Sequence, residues 1–303
     1  MNTIKFGLDI GGTKIELRAY NQHNEELIKE RIVTPNNYAN FISSITELVI
    51  QAEAKLGKKG SIGLGLPGAI CPKTHVVKNA NCTFLNGRHL KQDLEKALNR
   101  DVYIANDANC FALSEAMDGV AAGKKVVFGV ILGTGCGGGL VVNQQLIIGA
   151  NAICGEWGHN PLPNYEYSKD GIGQPCYCGR QNCIERFISG TGFEVQYAQR
   201  FSETKSAPVI IEAYQRGDHK ARLSYYQLVD HIARSFAYIV NMIDPDAIVI
   251  GGGLSQVASL YSDIEKQMTQ YVFSPDSHTP ILKAKYGDSS GVRGAAWLPI
   301  IHA

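Results

Sequence analysis

Lys125–Gly149, KVVFGVILGTGCGGGLVVNQQLIIG, is the stretch on which the reading of the fold turns. Its β-branched apolar runs are broken twice by turn residues, so it reads as strand, glycine turn, strand, turn, strand. The chain begins the same way, with IKFGLDI (Ile4–Ile10), GGTK (Gly11–Lys14), IELRAY (Ile15–Tyr20) and ELIKERIV (Glu26–Val33). A helix follows that opening, since Phe41, Ile45, Leu48, Val49, Ala52 and Leu56 recur at helical spacing. SIGLGLPG (Ser61–Gly68) reads as a buried strand ending in a Pro-Gly turn, and Leu90, Leu94, Ala97 and Leu98 mark a shorter helix. DVYIA (Asp101–Ala105) is a further strand, with a helix starting near Asp107. After Gly149 comes an irregular stretch, about 151 to 186, and then helices over roughly 187 to 243. DAIVIGGG (Asp246–Gly253) reads as a strand, followed by a helix near 256 to 270. PILKAKYG (Pro280–Gly287) is a last strand and SGVRGAAWLPII (Ser290–Ile301) a last helix.

The order β-β-β-α-β-α-β thus occurs in both halves, which predicts a duplicated α/β fold with a cleft between two domains. The expected division is a smaller domain of residues 1–119 joined by the returning helix 289–303, and a larger one of 120–288. Apolar content of 45% and charged content of 19% fit a folded globular protein. A formal net charge of +1 offers no basic stripe for nucleic acid. The N-terminus shows no signal-peptide pattern. The most apolar C-terminal stretch is broken by Asp244, Pro245 and Asp246, so no membrane span is expected. A cytoplasmic protein is expected.

Glycine-rich turns let backbone N–H groups approach a phosphate without a Cβ in the way. DIGGTK (Asp9–Lys14) and LGTGCGGG (Leu132–Gly139) stand at matching places in the two halves. Thr13 and Thr134 add hydroxyl donors and Lys14 a charge, while Asp9 could hold Mg²⁺ through water. A hairpin also favours glycine at its turn, so one such turn alone would read as structural. IGGGL (Ile250–Leu254) ends a strand before a helix, a position that suits a nucleotide contact. Neither a Walker A loop nor a protein-kinase H-R-D motif is present.

Taken together, DIGGTK, LGTGCGGG and GGGL resemble the phosphate and adenosine motifs of the actin-like, hexokinase-type ATPase superfamily, whose fold is ribonuclease H-like. GEWGHNPLP (Gly155–Pro163) followed by CYCGRQNCIE (Cys176–Glu185) is similar to the ROK family of repressors, open reading frames and sugar kinases. The resemblance spans essentially the whole chain. It implies an ATP- and Mg²⁺-dependent sugar kinase acting on the 6-hydroxyl of a hexose, and a homodimer. The implied nucleotide contacts are Asp9, Gly11, Gly12, Thr13, Lys14, Gly133, Thr134, Gly135, Gly251, Gly252, Gly253 and Leu254.

Cys176, Cys178 and Cys183 supply three soft ligands on a tight turn, and a structural Zn²⁺ takes four. His159 is the only histidine between His89 and His219 and is the natural fourth. The family's zinc site resembles this set, with two departures. The gap from His159 to Cys176 is longer than in many members, and Asn182 stands where a glycine is usual. Zinc would close the loop carrying Glu185 onto the loop carrying Glu156 and His159.

VYIANDANC (Val102–Cys110) puts Asn106 and Asp107 where a strand meets a helix. An aspartate there could be a helix N-cap. The family's catalytic aspartate sits in a matching Asn-Asp, so the resemblance makes Asp107 the general base toward the sugar. It also puts Asn106, Asp107, Glu156, His159 and Glu185 at the sugar, with Gly68, Asn79 and Asn81 as further candidates. His159 could touch zinc through one ring nitrogen and sugar through the other.

PGAICPKTHVVKNANCTFLNGR, GEWGHNPLP, FISGTGF and GDSSGVRGAAW look most like the bacterial fructokinase/mannokinase branch. Fructose is therefore the expected sugar, with N-acetyl-D-glucosamine as the alternative. That second branch often reads Glu-Phe-Gly-His where this chain has Glu156-Trp157-Gly158-His159. A sugar-sensing regulator is a remoter reading. Family regulators carry a helix-turn-helix ahead of the body, and here the first phosphate turn begins at Asp9. A chaperone-type ATPase of the same superfamily would lack the cysteine loop and the Glu156, His159 and Glu185 set.

Overall fold

The computed structural model of the chain describes residues 4–274 and 276–302. In the first half, β1 (Ile4–Ile10), β2 (Lys14–Tyr20) and β3 (Glu26–Val33) run antiparallel in sequence. Helix α1 (Tyr38–Leu56) follows, started by the Asn37 side chain accepting from Asn40 N–H at 2.9 Å and stopped at Gly57, φ +65°. β4 (Gly60–Leu66) then leads into a small hairpin of β5 (Ala69–Ile70) and β6 (Val77–Lys78), which the sequence reading did not resolve. After α2 (Leu90–Leu98) comes β7 (Val102–Asn106), and α3 (Asp107–Met117) starts directly from its end. Leu90, Leu94 and Leu98 bury one face of α2 as their spacing predicts, whereas Ala97 lies exposed.

The second half repeats this with β8 (Val126–Leu132), β9 (Cys136–Val142) and β10 (Gln145–Ile147). The irregular stretch contains a short helix, α4 (Tyr167–Asp170), and ends at α5 (Glu185–Ile188). Then follow α6 (Gly190–Phe201), α7 (Ala207–Gln215), α8 (His219–Ile243), β11 (Ala247–Gly251), α9 (Ser259–Met268), β12 (Ile281–Lys283) and α10 (Ser290–Ile301). The sheet orders are β3-β2-β1-β4-β7 and β10-β9-β8-β11-β12, so each strand of one sheet has its counterpart in the other. The duplicated actin-like fold expected from the sequence is therefore present.

Each sheet hands a helix to the other. α3 leaves the first sheet and packs on β8 and β9, while α10 leaves the second and packs on β1 and β4. Where these two helices cross, a Cβ on Gly294 would lie 1.7 Å from the Cys110 carbonyl oxygen. One on Gly63 of β4 would lie 1.7 Å from that of Ala295, so only glycine allows either approach. The buried Glu115 carboxylate of α3 fixes the crossing. It accepts from Val120 N–H and Lys285 N–H at 3.0 Å and from the Ser290 hydroxyl at 2.7 Å. Three apolar clusters follow this plan. Phe6, Leu8, Phe41 and Leu64 belong to the first half, and Phe128, Trp157, Phe187, Phe236 and Ile250 to the second. Cys110, Phe111, Leu113, Val249, Ala295 and Leu298 fill the layer where α3 and α10 cross. Among the described residues no helix is long and apolar enough to cross a membrane.

Candidate active site

The two glycine turns join equivalent strands, Gly11–Thr13 between β1 and β2 and Gly133–Gly135 between β8 and β9. Hairpin geometry does not explain their glycines. Gly11, Gly12, Gly133 and Gly135 all lack the left-handed φ that tight hairpin turns require. A Cβ on Gly12 or on Gly253 would meet nothing within 4 Å, and one on Gly133 only Ile131 Cγ2 at 3.9 Å. Each of the three loops thus holds a glycine that the fold does not need, as expected if an external group approaches the backbone there. Gly252 is different. Its φ is +80°, and a Cβ would lie 2.6 Å from the Leu132 carbonyl, so it seats the third loop on the second. Gly251 ends β11 against Phe111, and Leu254 is buried behind it. Thr13, Lys14 and Thr134 are exposed.

Asn106, and not Asp107, caps α3. Its Oδ1 accepts from Ala108 N–H at 2.9 Å, and its Nδ2 donates to the Gly68 carbonyl at 3.3 Å. Asp107 is left at the first helical position, where its carboxylate accepts only from Ala108 N–H among the side-chain bonds described. Burial pushes this carboxyl above the ordinary range, the Ala108 N–H opposes that, and the nearby Glu156 charge adds to it. Asp9, at the end of β1, is pushed up to about 6 by burial, then by Asp107 and Glu16. The Asp107 charge raises the proton affinity of Asp9, an arrangement that a divalent cation relieves, so Asp9 fits the Mg²⁺ role expected for it.

Glu156 and His159 sit on one turn of 3₁₀ helix. The His159 Nδ1 faces Cys176 Sγ at 3.5 Å, and its Nε2 faces the other way, 3.9 Å from Glu156 Oε2. Glu185 is buried at the start of α5, where one oxygen accepts from Cys136 N–H at 3.0 Å. A Cβ on Gly135 would lie 2.8 Å from that same oxygen, so Gly135 makes room for Glu185 as well as for any phosphate. Gly68 has a packing reason of its own, since a Cβ would lie 2.9 Å from the Lys78 carbonyl oxygen. Asn79 and Asn81 lie exposed beyond it.

Tyr177 escaped the sequence reading. It lies between two cysteines and is 82% exposed, with its hydroxyl 3.0 Å from His159 Nε2 and its ring edge-on to the imidazole. Its phenol is pushed up to about 12, first by desolvation beside the loop and then by the Glu185 and Glu156 charges. It therefore stands beside three of the residues expected at the sugar, His159, Glu156 and Glu185.

The donor atoms of His159, Cys176, Cys178 and Cys183 all lie within 4.8 Å of one another, with Cys178 and Cys183 sulfurs 3.5 Å apart. A tetrahedron with metal–sulfur bonds of about 2.3 Å has edges of about 3.8 Å, so the set fits Zn²⁺. Gly179, φ +87°, makes the turn after the second cysteine. Asn182 takes φ +59°, a conformation that asparagine tolerates better than most non-glycine residues, which accounts for its standing where the family has glycine. Pairing of Leu162 N–H with Asn182 O at 2.7 Å and of Ile184 N–H with Asn160 O at 2.8 Å ties the histidine loop to the last cysteine.

The long gap between His159 and Cys176 is pinned by a buried ionic cluster that the sequence did not disclose. Asp170 of α4 meets Arg234 and His231 of α8, and Arg234 also donates to the carbonyls of Pro163 and Asn164 at 2.7 and 3.1 Å. Asp230 lies 3.0 Å from Arg234 Nε. Burial alone would raise the Asp170 carboxyl, but the hydrogen bonds from His231 and Arg234 outweigh it and hold it far below the ordinary range. Its stabilising effect is thus complete above about pH 4, the unfolded value, and is lost as pH falls below that. Arg234→Met is expected to cost about 3–5 kcal/mol, because Asp170 is left charged and buried with its main partner gone. Denaturant unfolding at pH 7 checks this, and a loss under about 1 kcal/mol would refute the clamp.

Residues 5–301 match the family model described as ROK family. An N-acetyl-D-glucosamine kinase of Vibrio parahaemolyticus serotype O3:K6 is 41% identical over 299 residues, covering 97% of this chain and 99% of that one. The structure of a ROK hexokinase from Thermus thermophilus superposes with a TM-score of 0.87 at 27% identity over 100% of both chains. That of a ROK family glucokinase from Streptomyces griseus, in complex with glucose and AMPPNP, gives 0.75 at 27% identity over 98% of both.

Proposed function

The chain belongs to the ROK family and is a carbohydrate kinase, and from that premise we propose that it transfers the γ-phosphate of ATP to the 6-hydroxyl of N-acetyl-D-glucosamine. The observation that carries the choice of sugar is the 41% identity, along nearly the whole chain, to a kinase named for that sugar. It supports the alternative of the two branches over fructose.

Asp107 takes the proton from the 6-hydroxyl. Phosphoryl transfer has a loose transition state, so a positioned carboxylate is enough and early deprotonation is not needed. The N–H groups of Gly11 and Gly133 donate to the Lys14 and Gly135 carbonyls and shape the turns, so those of Gly12, Thr13, Thr134 and Gly135 hold the phosphates, and the 251–254 loop backs the nucleotide. Asp9 would hold Mg²⁺ through water, and the ion supplies charge neutralisation at the phosphates. Glu156, Glu185 and His159 read sugar hydroxyls. Asn106 acts mainly as a positioning residue, because its cap and its bond to Gly68 fix Asp107 against the 67–68 turn. His159, Cys176, Cys178 and Cys183 would hold a structural Zn²⁺. The proposal includes the homodimer implied by the family resemblance.

Release of ADP from ATP and Mg²⁺ with N-acetyl-D-glucosamine, glucose, mannose and fructose separately is the test. N-acetyl-D-glucosamine is expected to give much the highest kcat/KM. A clear lead for fructose or mannose would restore the other branch, and no turnover with any of the four would revive the sensor reading.

A further inference from the structure

We infer that Thr34 and Gly190 are positioning residues for the phosphates of ATP, each holding one carbonyl of a glycine turn so that the next N–H in the chain faces the phosphates. This rests on the placement of ATP proposed above and names what sets the turns in that placement. Glycine adopts left- and right-handed backbone angles with similar ease, so a glycine turn does not by itself keep its peptide planes one way up. Across a planar trans peptide the carbonyl and the following N–H point in opposite directions. Holding the one therefore aims the other. In the first turn the Thr34 hydroxyl, just past β3, donates to the Gly11 carbonyl at 2.7 Å, which turns the Gly12 N–H to the opposite side. The Thr34 N–H also donates to the Thr13 carbonyl at 3.1 Å. In the second turn the Gly190 N–H, at the start of α6, donates to the Gly133 carbonyl at 2.7 Å, which aims the Thr134 N–H away from α6.

The two holders differ in type, yet each takes the carbonyl of the first glycine of its turn. Gly11 and Gly133 stand at matching places, and each closes its turn by donating its own N–H to a carbonyl further along, that of Lys14 or Gly135. The same peptide is thus fixed in both halves, by a side chain after β3 in one and by the backbone of α6 in the other. Gly190 belongs to FISGTGF, whose Ser189 caps α6 by accepting from Gly192 N–H at 3.0 Å. A Cβ on Gly190 would lie 3.0 Å from the Gly133 oxygen, so glycine permits the short approach. Glu185, which accepts from the Cys136 N–H, pins the far side of the same turn.

Thr34→Val keeps the shape of the side chain and removes the hydroxyl. It should weaken calorimetric binding of AMPPNP with Mg²⁺ about 3- to 10-fold, the scale of one neutral hydrogen bond, while Thr34→Ser stays within about twofold of wild type. Gly190→Pro removes the other donor and should weaken binding at least as much. Proline suits the first position of a helix, and Ser189, with φ −74° and ψ 162°, already has the extended backbone that a following proline requires. Sugar affinity without nucleotide, measured with the best of the four sugars, should stay within about twofold in these variants, a split that a general loosening would not give. Equal losses for sugar and AMPPNP would overturn the inference. Gly12→Ala separates it from the placement of ATP, because a Cβ there meets nothing of the protein and obstructs only an approaching group. AMPPNP weakened by Gly12→Ala but not by Thr34→Val or Gly190→Pro would overturn the two holders and leave ATP at the turns. AMPPNP unaffected by all three would remove ATP from the turns, and this inference with it.

Discussion

Asp107→Asn should lower kcat by roughly 10²–10⁴-fold, the range of a lost general base, while sugar affinity stays within a few fold of wild type. The structure makes this a clean experiment. The main cap of α3 is Asn106, and an asparagine oxygen at 107 can still accept from Ala108 N–H, so the helix start stays intact. An amide at Asp107 still occupies the same space and can still touch a sugar hydroxyl, but it cannot take its proton. The acid limb of the pH profile adds a second reading. Burial raises the Asp107 carboxyl, so activity should fall with decreasing pH at values above the ordinary aspartate pKa of about 4. Asp9, pushed up to about 6, contributes to the same limb. Mg²⁺ held at Asp9, as proposed, would compete with the proton there, so the limb should move to lower pH as Mg²⁺ rises. Steady-state kinetics with calorimetric sugar binding decides the first point, and turnover within about threefold of wild type would remove Asp107 from the mechanism.

Features set by backbone periodicity and turns could be read from the sequence. Strand-turn-strand twice, with glycines at the same turn, leads to two sheets of the same strand order, because local spacing determines each element and the repeat determines the pairing. The cysteine–histidine set was legible because ligand types are few and cluster in sequence. The choice of sugar was poorly legible, and the structure shows why. Trp157, the residue that separates GEWGH from the other branch's usual phenylalanine, is buried between Phe128 and Phe236 in the core of the second half. Phe187, Ile188 and Phe193 of FISGTGF are buried as well. Motif residues of this kind report packing inside the second half and not contact with a sugar. Tyr177 went unseen because a residue between two ligands carries no periodic signal. Asp170 and Arg234 are 64 residues apart, so nothing local pairs them. The one available hint was an arginine on the buried face of α8, which demands a buried partner without saying which.

Cys178→Ser should abolish stoichiometric zinc and raise the sugar KM by about tenfold or more, with a smaller effect on kcat. A serine hydroxyl is a poor Zn²⁺ ligand at neutral pH, and three remaining donors leave a tetrahedral site open. Cys178 is itself exposed, so its loss removes little packing, and the effect reports the metal more than the core. The consequence reaches the sugar through a short path. Cys183 precedes Ile184, whose N–H pairs with Asn160 next to His159, and Glu185 follows at once. Without a metal, only these backbone pairs are left to hold His159 and Glu185 in one frame. Asp107 stands on the β7–α3 junction at the end of the first sheet, so the proposed base keeps its place and kcat should suffer less. The buried Asp170–Arg234 pair still holds residues 163–170, which predicts a folded protein with a loosened site and not a general collapse. Metal analysis, sugar kinetics and thermal unfolding on one preparation separate the outcomes. Undiminished zinc would remove Cys178 from the ligand set. Zinc lost with the sugar KM unchanged would confine the metal to holding the loop, and would break the link drawn here between the cysteine turn and the sugar.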